Sequence, residues 1–301
     1  MQGSLTENRR QFLPLFVEAV DPGAEDSQMT HTPSKKGYYE PARWYDLRDF
    51  SPLRDVEFFK KMAKEHGPRI LECAVGTGRI AIPLAREGFD VWGIDRDKDM
   101  LERARQKWEK EKRAAKGSLR LAQTDVTDFN LRKRFDMAFI AFNTFLTLAT
   151  VEQSLAVLRC VRRHLVSGGR FIIDTYQPSV NAYAGDQPEH RDFFLEDPET
   201  GCQVERYSWD RRDMSIQKIQ TTFEYRWTEP GGRRGREIIS FPLRVIFPVE
   251  MRLLLQMTGY EVERIYGDHD GSAFQKRSPR MIFVARKSPR RGARRSAGSE
   301  G

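Results

Sequence analysis

The chain has 301 residues, 39% of them hydrophobic and 31% charged, with a formal charge of +8. That is enough apolar material for one large core or two small ones, and no apolar run approaches the roughly 20 residues of a membrane-crossing helix. Cys73, Cys160 and Cys202 are odd in number and lack metal-ligand spacing, which argues against a disulfide framework and a metal centre and predicts reduced thiols in a cytoplasmic protein.

No basic start followed by a short apolar core opens the chain, so no secretory signal is expected. Residues 1–36 read as a flexible N-terminal segment, with a short helix at Gln11–Val20 stopped by Asp21-Pro22-Gly23. Tyr38, Tyr39, Trp44 and Tyr45 form an aromatic cluster, and Asp55–His66 reads as an amphipathic helix stopped by Gly67-Pro68. An α/β alternation follows. Strands are predicted at Arg69–Cys73, Val91–Ile94, Leu119–Ala122, Phe135–Ala141 and Arg170–Asp174. Helices are predicted at Thr77–Glu87, from Asp97 to about Ala115, and at Val151–Leu165. The spacing implies a doubly wound parallel sheet.

After Pro178 the pattern becomes antiparallel, with strands predicted at Val204–Trp209, Ser215–Trp227 and Arg236–Phe247. Turns at Arg211–Asp213 and Pro230–Gly232 separate them. A helix opened by Pro248 and ended by Gly259 leads to two last strands, Glu261–Tyr266 and Arg280–Ala285. The loop between those two strands has no room for a crossover helix, so they pair antiparallel. The whole is expected to be a seven-stranded sheet, mostly parallel with an antiparallel last strand, carrying a β insertion as lid or dimer surface. The boundaries are a core at 37–176, the insertion at 177–247 (rich in Arg206, Tyr207, Trp209, Tyr225, Arg226 and Trp227), the rest of the core at 248–287, and a tail at 288–301. Residues 286–301 hold six Lys/Arg against Glu300, a local +5 that leaves the remaining chain near +3. A nucleic-acid binder needs its basic face on the folded part, so the tail reads as solvated and disordered.

Ligands of such sheets sit at the carboxyl ends of the strands, and four strand ends here carry chemistry. The first gives Glu72 and the turn at Gly76 and Gly78, where the backbone can approach a ligand. The second gives Asp95, 17 positions after Gly78, where an acid can accept from both ribose hydroxyls. The third gives Asp125-Val126, suited to an exocyclic amine of a base, and the fourth gives Phe142-Asn143. Gly76-Thr77-Gly78-Arg79-Ile80-Ala81 also fits a nicotinamide dinucleotide site. Against that, Glu72 would repel a pyrophosphate, and the chain ends in an antiparallel pair. The acids describe an adenosyl ligand with a cationic end.

The stretch Ile70–Arg79, then Gly93-Ile94-Asp95 with Met100–Ala104, Thr124–Phe129, Phe135–Phe145 and His164–Phe171 resemble the successive motifs of class I S-adenosylmethionine-dependent methyltransferases. Ala74 departs from the pattern, standing where most members have a glycine. The resemblance is to small-molecule members, similar to sugar and amino-acid N-methyltransferases, and it implies S-adenosyl-L-methionine as cofactor. By the same resemblance the backbone at Ala74, Gly76 and Gly78 would contact the methionine portion, Glu72 its amino group, and Asp95 the ribose. Asp125 and Val126 would read the adenine, Phe142 and Asn143 would lie beside the methionine end, and Tyr45 would close over the cofactor.

The implied reaction is an in-line displacement at a sulfonium methyl by an N or O acceptor, governed by positioning. Asp174 and Tyr176 follow the fifth strand at the cleft mouth. His269 lies in Asp268-His269-Asp270, and Tyr176 and His269 are the candidate proton acceptors. His164 reads as structural. A small-molecule substrate and a homodimer through the insertion are the expected partners. A nucleic-acid or protein methyltransferase, an NAD-dependent oxidoreductase and a non-catalytic cofactor-binding protein are the alternatives.

Overall fold

A computed structural model describes residues 30–31, 41–47, 54–178 and 185–289. The expected helix at Gln11–Val20, Tyr38 and Tyr39, and the tail from Arg290 onward lie outside the described residues. Within the segment expected to be flexible, Thr30–His31 form a strand, β1, and the one-turn helix α1 (Ala42–Tyr45) follows. The amphipathic α2 (Arg54–His66) buries Val56, Phe58, Phe59, Met62 and Ala63, a stripe at the spacing of one helix face.

The alternation then runs β2 (Arg69–Cys73), α3 (Ala81–Glu87), β3 (Asp90–Asp95), α4 (Lys98–Glu111), β4 (Ser118–Gln123), β5 (Phe135–Ile140), α5 (Val151–His164) and β6 (Leu165–Tyr176). Four long strands follow: β7 (Gln187–Glu196), β8 (Gln203–Asp213), β9 (Lys218–Thr228) and β10 (Arg234–Arg244). Helix α6 (Pro248–Met257), β11 (Tyr260–Tyr266) and β12 (Arg280–Lys287) close the fold.

The core sheet has seven strands in the order β11-β12-β6-β5-β2-β3-β4. β2 to β6 pair in parallel, and β12 is antiparallel to both β6 and β11. Strand order reverses at β2, which has β3 on one side and β5 on the other. That reversal opens a crevice above its carboxyl end. Period-two burial supplies both faces of the sheet. Leu71, Cys73, Ala138, Ile140, Phe171 and Ile173 pack with Leu158 and Val161 of α5 and Leu254 of α6. Ile70, Val91, Met137, Phe139 and Ile172 pack with α2 and α3, where Phe59 stacks on Phe139 at 4.4 Å. Each such fully buried large side chain contributes about 1.5–3 kcal/mol.

The second sheet runs β1-β10-β9-β8-β7, antiparallel except for β1 beside β10. Its inner face buries Val204, Tyr225, Ile239 and Phe241 together with Trp44 of α1. The Arg43 guanidinium lies 4.6 Å from the Trp44 ring and 4.3 Å from Trp227, fastening α1 to this sheet. Arg244 joins the sheet to both helices behind it, donating to Ser154 of α5 at 3.0 Å and pairing with Glu250 of α6.

Several expectations are corrected. The insertion has four strands, because Gln187–Glu196, which carries Pro188 at its second position and alternates poorly, also pairs. The β8–β9 turn is at 214–217, with Gln217 at φ +51°, and Arg211–Asp213 belong to the strand. The Ser167–Gly169 turn is a bulge inside β6, where register shifts between Phe135 and Met137 of β5. Helix α4 stops at Glu111. Helix α3 starts at Ala81 rather than Thr77, because Gly76 and Gly78 are left-handed, at φ +55° and +80°.

Candidate cofactor and active site

A cavity of about 230 Å³ lies above β2, closed on its outer side by the second sheet. The core contributes Glu72, Ala74, Val75, Gly76, Arg79, Ile80, Asp95 and Met100, and the turn after β5 contributes Ala141, Phe142, Asn143 and Thr144. Tyr45 of α1 stands at the wall. Arg206, Phe223, Phe241 and Leu243 come from β8, β9 and β10.

The glycine turn is built by its φ angles. Ala74 itself sits at φ +57°, the conformation for which glycine is suited and at which a Cβ costs roughly 1–2 kcal/mol. Its departure from the usual glycine therefore carries strain. At Gly76, which lines the cavity, no atom stands within 4 Å of where a Cβ would be. The loop leaves open space at its backbone.

Asp95 is 2% exposed and holds this loop to the next helix. Its carboxylate accepts from the Gly76 N–H at 2.8 Å and the Asp97 N–H at 2.9 Å. Burial pushes its carboxyl up, and those two amides pull it down. Glu72 is 4% exposed, and its Oε2 has no hydrogen-bond partner. Burial pushes this carboxyl well above the usual range, against the pull of Arg79 and the Ala81 amide. Arg79 is ion-paired to Asp55 at 2.5 Å, and its guanidinium lies 5.1 Å from the Phe142 ring.

On the outer wall, Arg206 donates to Asp192 at 2.7 Å and covers the Phe223 ring at 4.2 Å. Ser208 donates to the same Asp192 at 2.9 Å. The wall is thus apolar, with a partly buried, neutralised ion pair set into it.

Residues 70–169 match the family model described as a methyltransferase domain. The chain is 25% identical over 235 residues to the cypemycin N-terminal methyltransferase of a Streptomyces species, covering 72% of this chain and 82% of that protein. It is 27% identical over 243 residues to the glycine/sarcosine N-methyltransferase of Aphanothece halophytica, covering 77% and 81%. The chain is a class I S-adenosylmethionine-dependent methyltransferase. Its fold is that of the sugar N-methyltransferase KedS8 from Streptoalloteichus sp ATCC 53650, with a TM-score of 0.69 at 22% identity over 89% of this chain and 100% of that one.

The methyltransferase cavity gathers Tyr45, Glu72, Ala74, Gly76, Asp95, Phe142 and Asn143. Gly78, Asp125 and Val126 do not line it. The Asp125 carboxylate turns to Thr127, accepting from its N–H at 2.8 Å and its hydroxyl at 2.6 Å. Tyr176 and His269, the candidate proton acceptors, do not line it either. The Tyr176 N–H donates to Asn143 Oδ1 at 2.7 Å, and His269 Nε2 lies 3.2 Å from Asp174 behind the wall. Tyr176 is half-buried against the core cluster, and His269 sits on the loop that leads into β12. His164 is structural: one ring nitrogen accepts from Leu131 N–H at 3.1 Å, the other meets Cys160 O at 2.9 Å, and the ring stacks on Phe129.

Sequence reasoning gave no role to Arg79, although it stands next to Gly78 in the motif. It also missed Phe223, Phe241 and Leu243. Strand alternation marks them as sharing a face but does not say which sheet that face meets.

The residues present fit the cofactor. The unpartnered Glu72 Oε2 suits an ammonium, and the bare backbone at Gly76 is a cradle that a Cβ would fill. Among the described residues no group of His, Cys, Asp and Glu could hold a metal ion, and no helix is long and apolar enough to cross a membrane.

Proposed function

We propose that this methyltransferase methylates an amine nitrogen of a small molecule seated between the strand ends of the core and the inner face of the second sheet. The observation that carries this reading is the construction of the cavity: one wall is the glycine turn with its two buried acids, and the facing wall is Arg206, Phe223, Phe241 and Leu243. A recess lined in this way, with apolar side chains facing the glycine turn and its acids, suits a small-molecule acceptor beside the cofactor. The relatives named above act, by their names, at the N-terminus of cypemycin, on glycine or sarcosine, and on a sugar nitrogen, which supports an amine acceptor.

S-adenosylmethionine, when bound, supplies a sulfonium methyl that carries its own positive charge. Glu72 would take the ammonium of its amino-acid end, Arg79 would stand beside its carboxylate, and the backbone of Ala74, Gly76 and Gly78 would run along the methionine portion. Asp95 would hold the ribose hydroxyls, with Asp125 and Val126 at the adenine. Phe142 and Asn143 would face the methionine end, and Tyr45 would close over it. Residues 177–247 would form the acceptor wall. The protein's work is to exclude water and hold the amine lone pair in line, since a neutral leaving group needs no acid.

The test is a panel of amino sugars, small amino acids and short peptides, set beside hydroxyl analogues, incubated with S-adenosylmethionine and read by mass spectrometry. Addition of one methyl to an amine is expected. Methylation of hydroxyl analogues alone would overturn the nitrogen assignment.

A further inference from the structure

Behind the cavity wall lies a buried polar cluster that the reaction itself does not use. Asp174, 1% exposed at the end of β6, has a full set of donors. Arg280 Nε of β12 donates to its Oδ1 at 2.5 Å. The Phe142 N–H donates to Oδ2 at 3.2 Å, and His269 Nε2 lies 3.2 Å from the same oxygen. The Asp174 backbone carbonyl accepts the Asn143 N–H at 3.1 Å. Arg280 does not stop at Asp174: its Nη2 donates to Asn143 Oδ1 at 3.2 Å, the oxygen that also accepts the Tyr176 N–H. His269 is in turn held from α2, its ring 5.7 Å from Phe58.

All these bonds converge on one turn. Phe142 and Asn143 take φ values of +57° and +67°, two consecutive non-glycine residues in the left-handed region. That conformation is unfavourable for each of them and persists only where the surroundings over-determine it. Both residues line the cavity. The carboxylate that holds them stays ionised, because Arg280 and His269 bring it down to about 2 against the push of burial.

We propose that Asp174, Arg280 and His269 form a clamp that holds the Phe142–Asn143 turn in its left-handed form, and so shapes the donor end of the cavity from behind. They are positioning residues: among the described residues, none of the three lines the cavity. The antiparallel register of β12 beside β6 is what assembles the clamp. Arg280 pairs in register with Tyr176, which brings its side chain to Asp174 and, past it, to Asn143. The inference rests on the reading that this cavity holds the methyl donor.

The test is a double-mutant cycle on binding of S-adenosylhomocysteine by calorimetry, with the full chain. Arg280→Lys keeps a cation for Asp174 but lacks the planar fork that also reaches Asn143. Asn143→Ala removes the shared acceptor. Each single change should weaken binding about tenfold, as for a lost hydrogen bond to a charged group. The double mutant should bind within about twofold of the weaker single, because both break one linkage. Arg286→Lys, on the same strand but paired with the exposed Glu261, should leave binding unchanged. Multiplied effects in the double mutant, or an Arg280→Lys protein that binds like the parent, would overturn the clamp. Should Arg280→Lys not fold, His269→Gln takes its place: weaker binding supports the clamp and unchanged binding overturns it. Asp95→Ala separates the two readings. If it and Arg280→Lys both bind like the parent, the placement of the donor fails along with the clamp. If Asp95→Ala alone loses affinity, only the clamp fails.

Discussion

Glu72 and Asp174 are both buried carboxylates at the ends of parallel strands, and their environments drive them in opposite directions. Burial dominates at Glu72, which is raised and lacks a partner for one oxygen. At Asp174 the Arg280 and His269 partners win and lower it to about 2 from 3.8. An unpartnered buried acid is a ligand-binding feature, whereas a fully partnered one is a structural strut. The difference fixes a pH dependence. Because the folded-state value of Asp174 is depressed, its contribution is present above 3.8 and is lost as pH falls towards 2. Asp174→Asn should therefore lower the unfolding free energy by about 2 kcal/mol at pH 5–7, with the difference from the parent narrowing below about pH 4. Urea unfolding at a series of pH values measures this, and a difference that stayed flat down to pH 3 would contradict it. Glu72 was legible in the sequence because its place before the glycine turn is local. Asp174 could be seen at a strand end, but its partners, Arg280 and His269, lie 106 and 95 positions away in the chain.

At the scale of elements, the strand-turn-helix around β2 depends on its neighbour β3. Gly93 stands in the middle of β3, and a Cβ there would meet Val75 Cγ2 at 2.7 Å and Leu121 at 2.9 Å. Val75 lies one residue before Gly76, and the Asp95 that holds Gly76 lies two residues after Gly93. Gly93→Ala should thus act twice. It should destabilise the fold by about 1–3 kcal/mol through overpacking, and it should weaken S-adenosylhomocysteine binding by displacing the loop that Val75 anchors. Calorimetric melting and titration on one sample check both, and a loss of stability with intact binding would separate the strand from the loop. The elements themselves were largely readable. The stripe of α2, the start of α5 at Val151 and the Pro248 opening of α6 are short-range signals, and the structure adds a capping box from Thr150 to Gln153. Strand β7 was not readable, since Gln187–Glu196 becomes a strand only by pairing with β8.

At the scale of the molecule, the proposed function divides donor and acceptor roles between the two sheets. The core supplies the acids and the glycine turn, and the second sheet supplies the facing wall. Truncating that wall should move acceptor kinetics and spare donor binding. Phe241→Ala, which also removes a contact with Phe223 at 5.1 Å, should raise the acceptor KM about tenfold or more, the loss expected for an emptied apolar contact of roughly 1–3 kcal/mol. Its S-adenosylhomocysteine affinity should stay near that of the parent. Equal losses on both sides would mean that the wall serves the cofactor instead.

The sequence by itself determined the class of fold and of chemistry. Glycine spacing, strand-end acids and the antiparallel last pair are encoded over a few residues each, where local backbone geometry leaves little choice. Only the tertiary structure decided which face of the insertion meets the core and that His269 lies against Asp174, outside the cavity lining. It alone showed that the departure at Ala74 places a side chain at φ +57°. These outcomes depend on pairings between residues far apart in the chain, which no local pattern specifies.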